Sequence, residues 1–419
     1  MNNFLIISFH FDSYTSPRSI RWGKILKYIL SKKINIDLIT YKRNKIKYPK
    51  NLVVHHHENR LVNIFLKDNL SSSQKYSNNI AKVIFTKLLN NFLKLIYKFF
   101  VKYIIWPDYS FFLIYPFYKS SIKLLKKKKI KRIITISHPF SCHIVGLLLK
   151  LKYPNIIWDV DNSDPFSLMK DTRSNNTYIY RYLNYYFEKL VFMKCRRFYV
   201  NNKNTKKKYL KFFNVKKKKI IVSPPLFDGS YKKFFTGLYK SKHFNFVYAG
   251  SFYDKIRSPI SFFEIISKLL KKFPNLKNEM KCYIFTNSNE FYDQLEKYSD
   301  LKSFFIISSL IPHSDLMNFI TKDKIVFNIG NNNKVQIPSK LYELMSRGVK
   351  IVNLHYNVDD LTKKILINYP NYININVDKE INLDKFYSFI KKRTHSANFF
   401  LRNKFKKNSL EYISNKYFN

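Results

Sequence analysis

The sequence predicts an α/β protein made of two doubly wound halves, each a parallel sheet covered by helices. Three observations predict it. Short, unbroken apolar runs rich in Ile, Val and Phe alternate with longer segments of helical period along nearly all 419 residues. The alternation halts at SPPLFDGS, residues 223–230, where Pro224, Pro225 and Gly229 mark a linker, and then restarts. The length suffices for two separate cores, and 46% hydrophobic with 18% aromatic content excludes a disordered chain. On this division residues 1–225 form one domain, 226–395 a second, and 396–419 a terminal helix.

Taken in order, Phe4–Phe9 is the first strand, an apolar run of the kind that is buried on both faces. Ser19–Lys32 has helical period, Ile36–Thr40 is a strand, and Asn79–Ile105 and Tyr115–Lys127 are helical patterns. The strand Arg132–Ser137 leads into the helix Ser141–Leu151, and Ile156–Val160 into Tyr178–Lys194. Arg197–Val200 and Ile220–Val222 close the first half. In the second half, the strand Phe244–Ala249 stops at Gly250 and the helix Pro259–Lys272 follows. Lys281–Thr286, Phe304–Ile307, Ile325–Ile329 and Lys350–Asn353 are strands, with helices at Ser314–Ile320 and Ser339–Arg347. Pro338 near the first turn and Gly348 after the last turn are the favoured ends of that last helix.

Composition narrows the setting. The net charge of +49 reflects either drift toward Lys, Asn, Ile, Phe and Tyr, whose codons are A/T-rich, or an anionic partner, membrane or nucleic acid. The lysines are spread along the chain without a zinc finger, RNP signature or basic zipper, so nucleic acid is not the expected partner. Within Val83–Trp106, Lys87, Lys94, Lys98 and Lys102 form a basic stripe on an otherwise apolar helix. That pattern fits a helix lying in a membrane interface, and equally a core helix with one solvated edge. Cys142, Cys195 and Cys282 are odd in number and lack CxxC spacing, which points to a reducing compartment and away from disulfides or zinc. The N-terminus lacks a basic n-region, and no apolar run reaches the ~20 residues of a spanning helix, so a cytoplasmic protein is expected.

Ligands of doubly wound sheets lie outside the carboxyl ends of the strands, so chemistry is expected in the loops that follow them. After the first strand, Arg18 and Arg21 are three apart at a helix start and can face one anionic group. Asp12 in that loop is a turn former or a general base. His138, before Pro139 at a strand's carboxyl end, can donate to a substrate hydroxyl or carbonyl, whereas His143 reads as packing. WDVDNSDPFS offers Asp159, Asp161 and Asp164 as metal ligands or acids, and the Asp164-Pro165 turn favours a structural or acceptor-positioning role. His55, His56 and His57 alternate faces on a strand, which argues against a shared metal. In AGSFYDKIRSP, Gly250 lets the backbone approach a ligand, and Lys255 and Arg257 can clamp a diphosphate. In QIPSKLYELMSRG, Ser339 and Glu343 share one helix face about 6 Å apart along the axis. The helix N-terminus and Lys340 suit phosphate, and Glu343 can accept from sugar hydroxyls. Neither GxGxxG nor a Walker loop occurs, which excludes dinucleotide oxidoreductases and P-loop ATPases.

Six segments occur in one order from end to end: SPRSIRW, WPDYSFFLIYPF, ISHPFSCHIVGLLLK, IIWDVDNSDPFS, VYAGSFYDKIRSP and VFNIGNNNKVQIPSKLYELMSRGVKIV. In that order the chain resembles the GT-B glycosyltransferases of the group-1 (family 4) type, which serve bacterial capsule, lipopolysaccharide and exopolysaccharide pathways. The resemblance implies two Rossmann-like domains facing a central cleft, with acceptor mainly on the first, nucleotide-sugar on the second, and the terminal helix returning to the first. It implies a hexosyltransferase-like enzyme of the EC 2.4 class, moving sugar from a nucleotide-diphosphate-sugar to a lipid-linked or polysaccharide acceptor at the inner face of the cytoplasmic membrane. Retention of configuration is implied, with neither metal nor cofactor, the leaving diphosphate helping to deprotonate the acceptor. Glu343 matches the acid that binds the nucleotide ribose, Lys255 or Arg257 the cations on the diphosphate, and His138 the histidine contacting the sugar. The expected catalytic pair is therefore His138 and Glu343. Gly250, Ser251, Lys255, Arg257, Gln336, Pro338, Ser339, Lys340 and Glu343 are expected around the donor, and Ser16, Arg18, Arg21, His138 and Asp161 around the acceptor. Two departures stand out: Val335, with Gln336 beside it, replaces a second glutamate eight residues before Glu343, and SYTSPRS replaces a glycine-rich loop. The rival readings are a non-catalytic scaffold of the same fold and a basic nucleic-acid-binding protein.

Overall fold

Two all-parallel sheets organise the chain, as the alternating pattern predicts. A computed structural model describes residues 3–11, 17–41, 49–67, 99, 103–168, 178–215, 219–227, 244–252, 257–321, 323–330, 340–356, 360–367, 369–392, 394 and 405–418. The first sheet has the order β3-β2-β1-β4-β5-β6-β7. Its strands are β1 (Asn3–Ser8), β2 (Asn35–Tyr41), β3 (Leu52–His57), β4 (Ile130–Ile136), β5 (Ile157–Asp161), β6 (Arg197–Val200) and β7 (Ile220–Val222). Leu5, Ile6, Ile7, Ile133 and Ile134 are wholly buried, because helices cover both faces of the central strands.

Those helices are α1 (Pro17–Leu30), α2 (Arg60–Lys67), α3 (Ile114–Lys127), α4 (Ser141–Lys152), α5 (Arg181–Lys194) and α6 (Lys203–Phe213). Pro17 takes the first position of α1, where its missing N–H costs nothing. At the start of α6, Asn202 Oδ1 accepts from Thr205 N at 2.8 Å, and Asn214 ends the helix in the left-handed region. Helix α4 lies so close to the sheet that a Cβ on Gly146 would sit 2.5 Å from Trp158 Nε1.

Several buried carboxylates of this unit are paired. Asp159 meets Arg132 and Arg196 at 2.6 and 2.9 Å. Glu188 accepts from Asn162, from Tyr209 and from the backbone N–H groups of Phe166 and Ser167. Burial, then the neighbouring Glu188, pushes the Tyr209 phenol well above its ordinary range.

The second sheet has the order β10-β9-β8-β11-β12-β13. Its strands are β8 (Phe244–Ala249), β9 (Met280–Phe285), β10 (Phe305–Ser308), β11 (Lys324–Ile329), β12 (Lys350–His355) and β13 (Tyr372–Asn376). Around it lie α7 (Ile260–Lys272), α8 (Asn289–Lys297), α9 (His313–Phe319), α10 (Lys340–Arg347), α11 (Leu361–Leu366) and α12 (Leu383–Lys391). Register across β11, β12 and β13 is pinned by an amide ladder: Asn328 donates to Asn353 at 2.6 Å, and Asn353 to Asn374 at 2.8 Å.

The chain divides into two units, Met1–Ser13 with Trp22–Ser223 and Tyr417–Asn419, and Tyr14–Arg21 with Pro224–Lys416. The last helix, α13 (Leu410–Phe418), ends in the first unit as the resemblance implies. There Tyr417 packs on Trp22 and Tyr199, and Phe418 on Phe4. The strands β3 and β13 and the helices α2, α6, α8, α11 and α12 go beyond the sequence expectation. The basic stripe at Lys87, Lys94, Lys98 and Lys102 lies outside the described residues.

Candidate functional site

Each sheet has a place where its strand order reverses, between β1 and β4 in the first and between β8 and β11 in the second. Loops leaving such a pair of strands in opposite directions open a crevice at the carboxyl ends. Gly250, Arg257, Lys340 and Glu343 lie at the second of these places, and His138 at the first.

In the second unit, Gly250 ends β8, and its N–H donates to Phe285 O at 3.0 Å. A Cβ at Gly250 would lie 3.2 Å from Tyr248 Oη and 3.6 Å from Arg257 Nη1, so the bare backbone leaves room for both groups. Ser251 follows, its carbonyl accepting from Tyr248 Oη at 3.3 Å. Lys340, the first residue of α10, reaches back across the switch point and donates to Ala249 O at 2.8 Å. Burial pushes its amine down to about 8, the Arg257 cation adds to that, and Glu343 opposes it. Glu343 sits one turn further along, its Oε2 2.8 Å from His313 Nε2 at the start of α9. Cations, a carboxylate and a stretch of backbone without a side chain at Gly250 thus meet in one small volume, a chemistry suited to an anionic, hydroxyl-bearing ligand. Lys255, Gln336, Pro338 and Ser339 lie outside the described residues.

In the first unit, His10 follows β1 and His138 follows β4, on either side of the switch point. Tyr109 stands between them: its hydroxyl is 2.9 Å from His10 Nε2, and its ring lies edge-on to His138 with centroids 6.2 Å apart. Asp108 holds Tyr109 in place by accepting from the N–H and hydroxyl of Ser110 and of Ser141, which ties the loop to the start of α4. The peptide bonds on both sides of His138 are cis.

Other expected residues have structural partners. Asp161 is buried and accepts from Trp22 Nε1 at 2.8 Å, from Tyr417 Oη at 3.0 Å and from Ser163, so its carboxylate joins the helix, the sheet and the tail. Arg21 donates to Pro224 O at 2.7 Å, and Arg18 is half-buried near the start of α1. Ser16 lies outside the described residues. His55 bonds Asp37, which Lys128 also pairs. Among the described residues no group of three His, Cys, Asp or Glu side chains is arranged to hold a metal ion.

Sequence reasoning missed His10, Tyr109 and His313. His10 obeys the same strand-end rule as His138 and was open to that argument. Tyr109 owes its place to the Asp108 clasp, and His313 meets Glu343 across thirty residues, contacts no local pattern encodes.

No family model matches the chain, and no curated protein matches its sequence. Solved structures match it over its whole length. The trehalose-6-phosphate synthase OtsA aligns with a TM-score of 0.65 at 10% identity, covering 100% of this chain and 98% of its own. The lipopolysaccharide outer core galactosyltransferase WaaB aligns with a TM-score of 0.55 at 12% identity, covering 100% and 98%. A trehalose-6-phosphate structure from E. coli, bound with UDP-2-fluoro glucose, aligns with a TM-score of 0.63 at 9% identity, covering 100% and 98%. Likeness at such identities is likeness of architecture: the chain has the fold of the GT-B glycosyltransferases.

Proposed function

We propose that the chain moves a sugar from a nucleotide-diphosphate-sugar to a lipid-linked glycan, with retention, at the inner face of the cytoplasmic membrane. The observation that carries this reading is the meeting of Lys340, Arg257 and Glu343 over the bare backbone of Gly250 at a strand-order reversal. A nucleotide diphosphate carries the charge that Lys340 and Arg257 complement, and its ribose hydroxyls are natural donors to Glu343. The E. coli neighbour's bound UDP-2-fluoro glucose supports a donor of that class.

In the proposed reaction the bond between the sugar's anomeric carbon and the diphosphate oxygen breaks as the acceptor hydroxyl bonds to that carbon. Negative charge grows on the leaving diphosphate, where Lys340, Arg257 and the N-terminus of α10 stabilise it and take the place of a metal ion. The diphosphate receives the acceptor's proton. His138 hydrogen-bonds the sugar, and Gln336 does so in place of the glutamate that Val335 replaces.

Melting curves against UDP-, GDP-, CMP- and dTDP-sugars test the donor half, because a ligand at a hundred times its Kd stabilises by ~2.7 kcal/mol. One nucleotide class should raise the melting temperature. Glu343→Ala and Arg257→Ala should each remove that shift and lower transfer by about a hundredfold or more. Near-normal transfer in both variants would sink the site, and donor binding without turnover would favour the scaffold reading.

A further inference from the structure

Helix α5 carries apolar side chains on both its faces. Its inward face carries Asn184 and Glu188 with Val191 and Phe192, all buried. Its outward face carries Tyr182, Leu183, Tyr186 and Met193, and Tyr178 and Ile179 in the preceding single turn continue the stripe. Exposure decides the point: Tyr178 is 87% exposed, Tyr182 81%, Ile179 64%, Tyr186 61% and Met193 58%. A helix that turns aromatics outward, and an amide and a carboxylate inward, presents a surface made for something other than water. From Ile179 to Tyr186 the stripe recurs at three- and four-residue spacing, it resumes two turns on at Met193, and it runs about 20 Å in all at 1.5 Å per residue.

Neighbouring elements widen it. Tyr180 Oη donates to the carbonyls of Tyr103 and Ile104 at 2.8 and 3.0 Å, which sets those two exposed side chains beside the start of the stripe. Helix α4 packs against α5 and exposes Leu148 and Leu151. The surrounding charge is of one sign. Helices α3, α4 and α5, packed in that order, carry four, two and three Lys or Arg residues. Their single carboxylate, Glu188, is wholly buried.

We propose that this face lies on an anionic lipid bilayer, with the α5 stripe at the level of the headgroups and the cations of α3–α5 meeting lipid phosphate. Tyrosine suits that level because its ring is apolar while its hydroxyl stays wet. Apolar insertion and attraction to anionic headgroups add to each other, and each alone is weak. A second copy of the chain would bring the same sign of charge to the contact, which opposes pairing through this face. The proposal deepens the reading of a lipid-borne acceptor and rests on it for its purpose, yet binding is measured without any sugar transfer.

Flotation of the full chain with vesicles of phosphatidylglycerol and phosphatidylcholine tests it. The chain should float with the mixed vesicles at 50 mM salt, and about tenfold less with phosphatidylcholine alone or at 500 mM salt. Tyr182→Ser/Tyr186→Ser/Met193→Ser should lower partition about tenfold, and Arg181→Glu/Lys194→Glu should do the same through charge alone. Both variants should keep the parent's melting temperature and its shift with nucleotide-sugar. Undiminished flotation of the triple variant overturns the proposal. So does a parent chain that stays in solution, or a variant that loses instead a dimer in sedimentation or the binding of generic RNA. Flotation that behaves as expected while no nucleotide-sugar binds overturns the transferase reading and leaves the surface standing.

Discussion

Lys340 shows how the candidate site stores its affinity. Burial and the Arg257 cation hold its amine down at about 8, below the ordinary lysine value, with Glu343 pulling the other way. A diphosphate placed beside that amine favours the charged form, so donor binding should draw a proton from solution above about pH 8. The sign follows: affinity is highest where the free amine is already charged, and falls as pH rises through about 8. Calorimetry at pH 8.5 in two buffers of different ionisation enthalpy should show proton uptake on binding. Lys340→Met should flatten the pH dependence and weaken binding about tenfold at pH 7.5. An affinity unchanged between pH 7 and 9.5 would remove Lys340 from the donor site.

At the scale of elements, close approach of helix and sheet outweighs helix preference. Ala is favoured over Gly inside a helix by ~1 kcal/mol. At position 146, however, the new Cβ would lie 2.5 Å from Trp158 Nε1 and 2.7 Å from Thr135 Cγ2, both in side chains buried in the core. Trp158 is further held by donating to Thr135 Oγ1 at 2.9 Å, so it cannot move aside freely. Overpacking costs about 1–3 kcal/mol, so Gly146→Ala should lower the urea midpoint. Gly23→Ala in α1, where the new Cβ meets no atom within 4 Å beyond its chain neighbours and its own helix's backbone, should raise it. Equal effects at both positions would show that packing does not govern. The same physics explains what the sequence disclosed. Central strands such as β1 and β4 are covered on both faces and read as apolar runs, FLII in β1 and IITI in β4. β3 (LVVHHH) and β13 (YININ) are edge strands rich in His or Asn, and their sheet membership is visible only through their partners in the sheet. Gly250, Arg257, Lys340 and Glu343 were legible because they follow strands or open a helix. His313 was not, since only the folded chain brings it to Glu343.

The whole molecule is shaped by its charge. With 76 Lys and Arg against 27 Asp and Glu, most cations have no carboxylate to pair with, and the acids in contact with the core are already taken. Asp37, Asp159 and Glu343 each face a cation or histidine. The remaining positive charge repels itself and opposes the compact state. That repulsion acts over about 30 Å at 10 mM salt and about 8 Å at 150 mM, whereas partly buried pairs are screened far less. Raising salt across this range should therefore raise the melting temperature by several degrees, the reverse of a fold held by surface ion pairs. Flotation with anionic vesicles should fall over the same range, since the cations of α3, α4 and α5 then feel lipid phosphate less. Stability and membrane affinity should thus move in opposite directions with salt, measured on one preparation by melting curve and by flotation. A melting temperature that fell with salt would show that favourable pairs outweigh the excess charge, and that the excess is no strain on the fold.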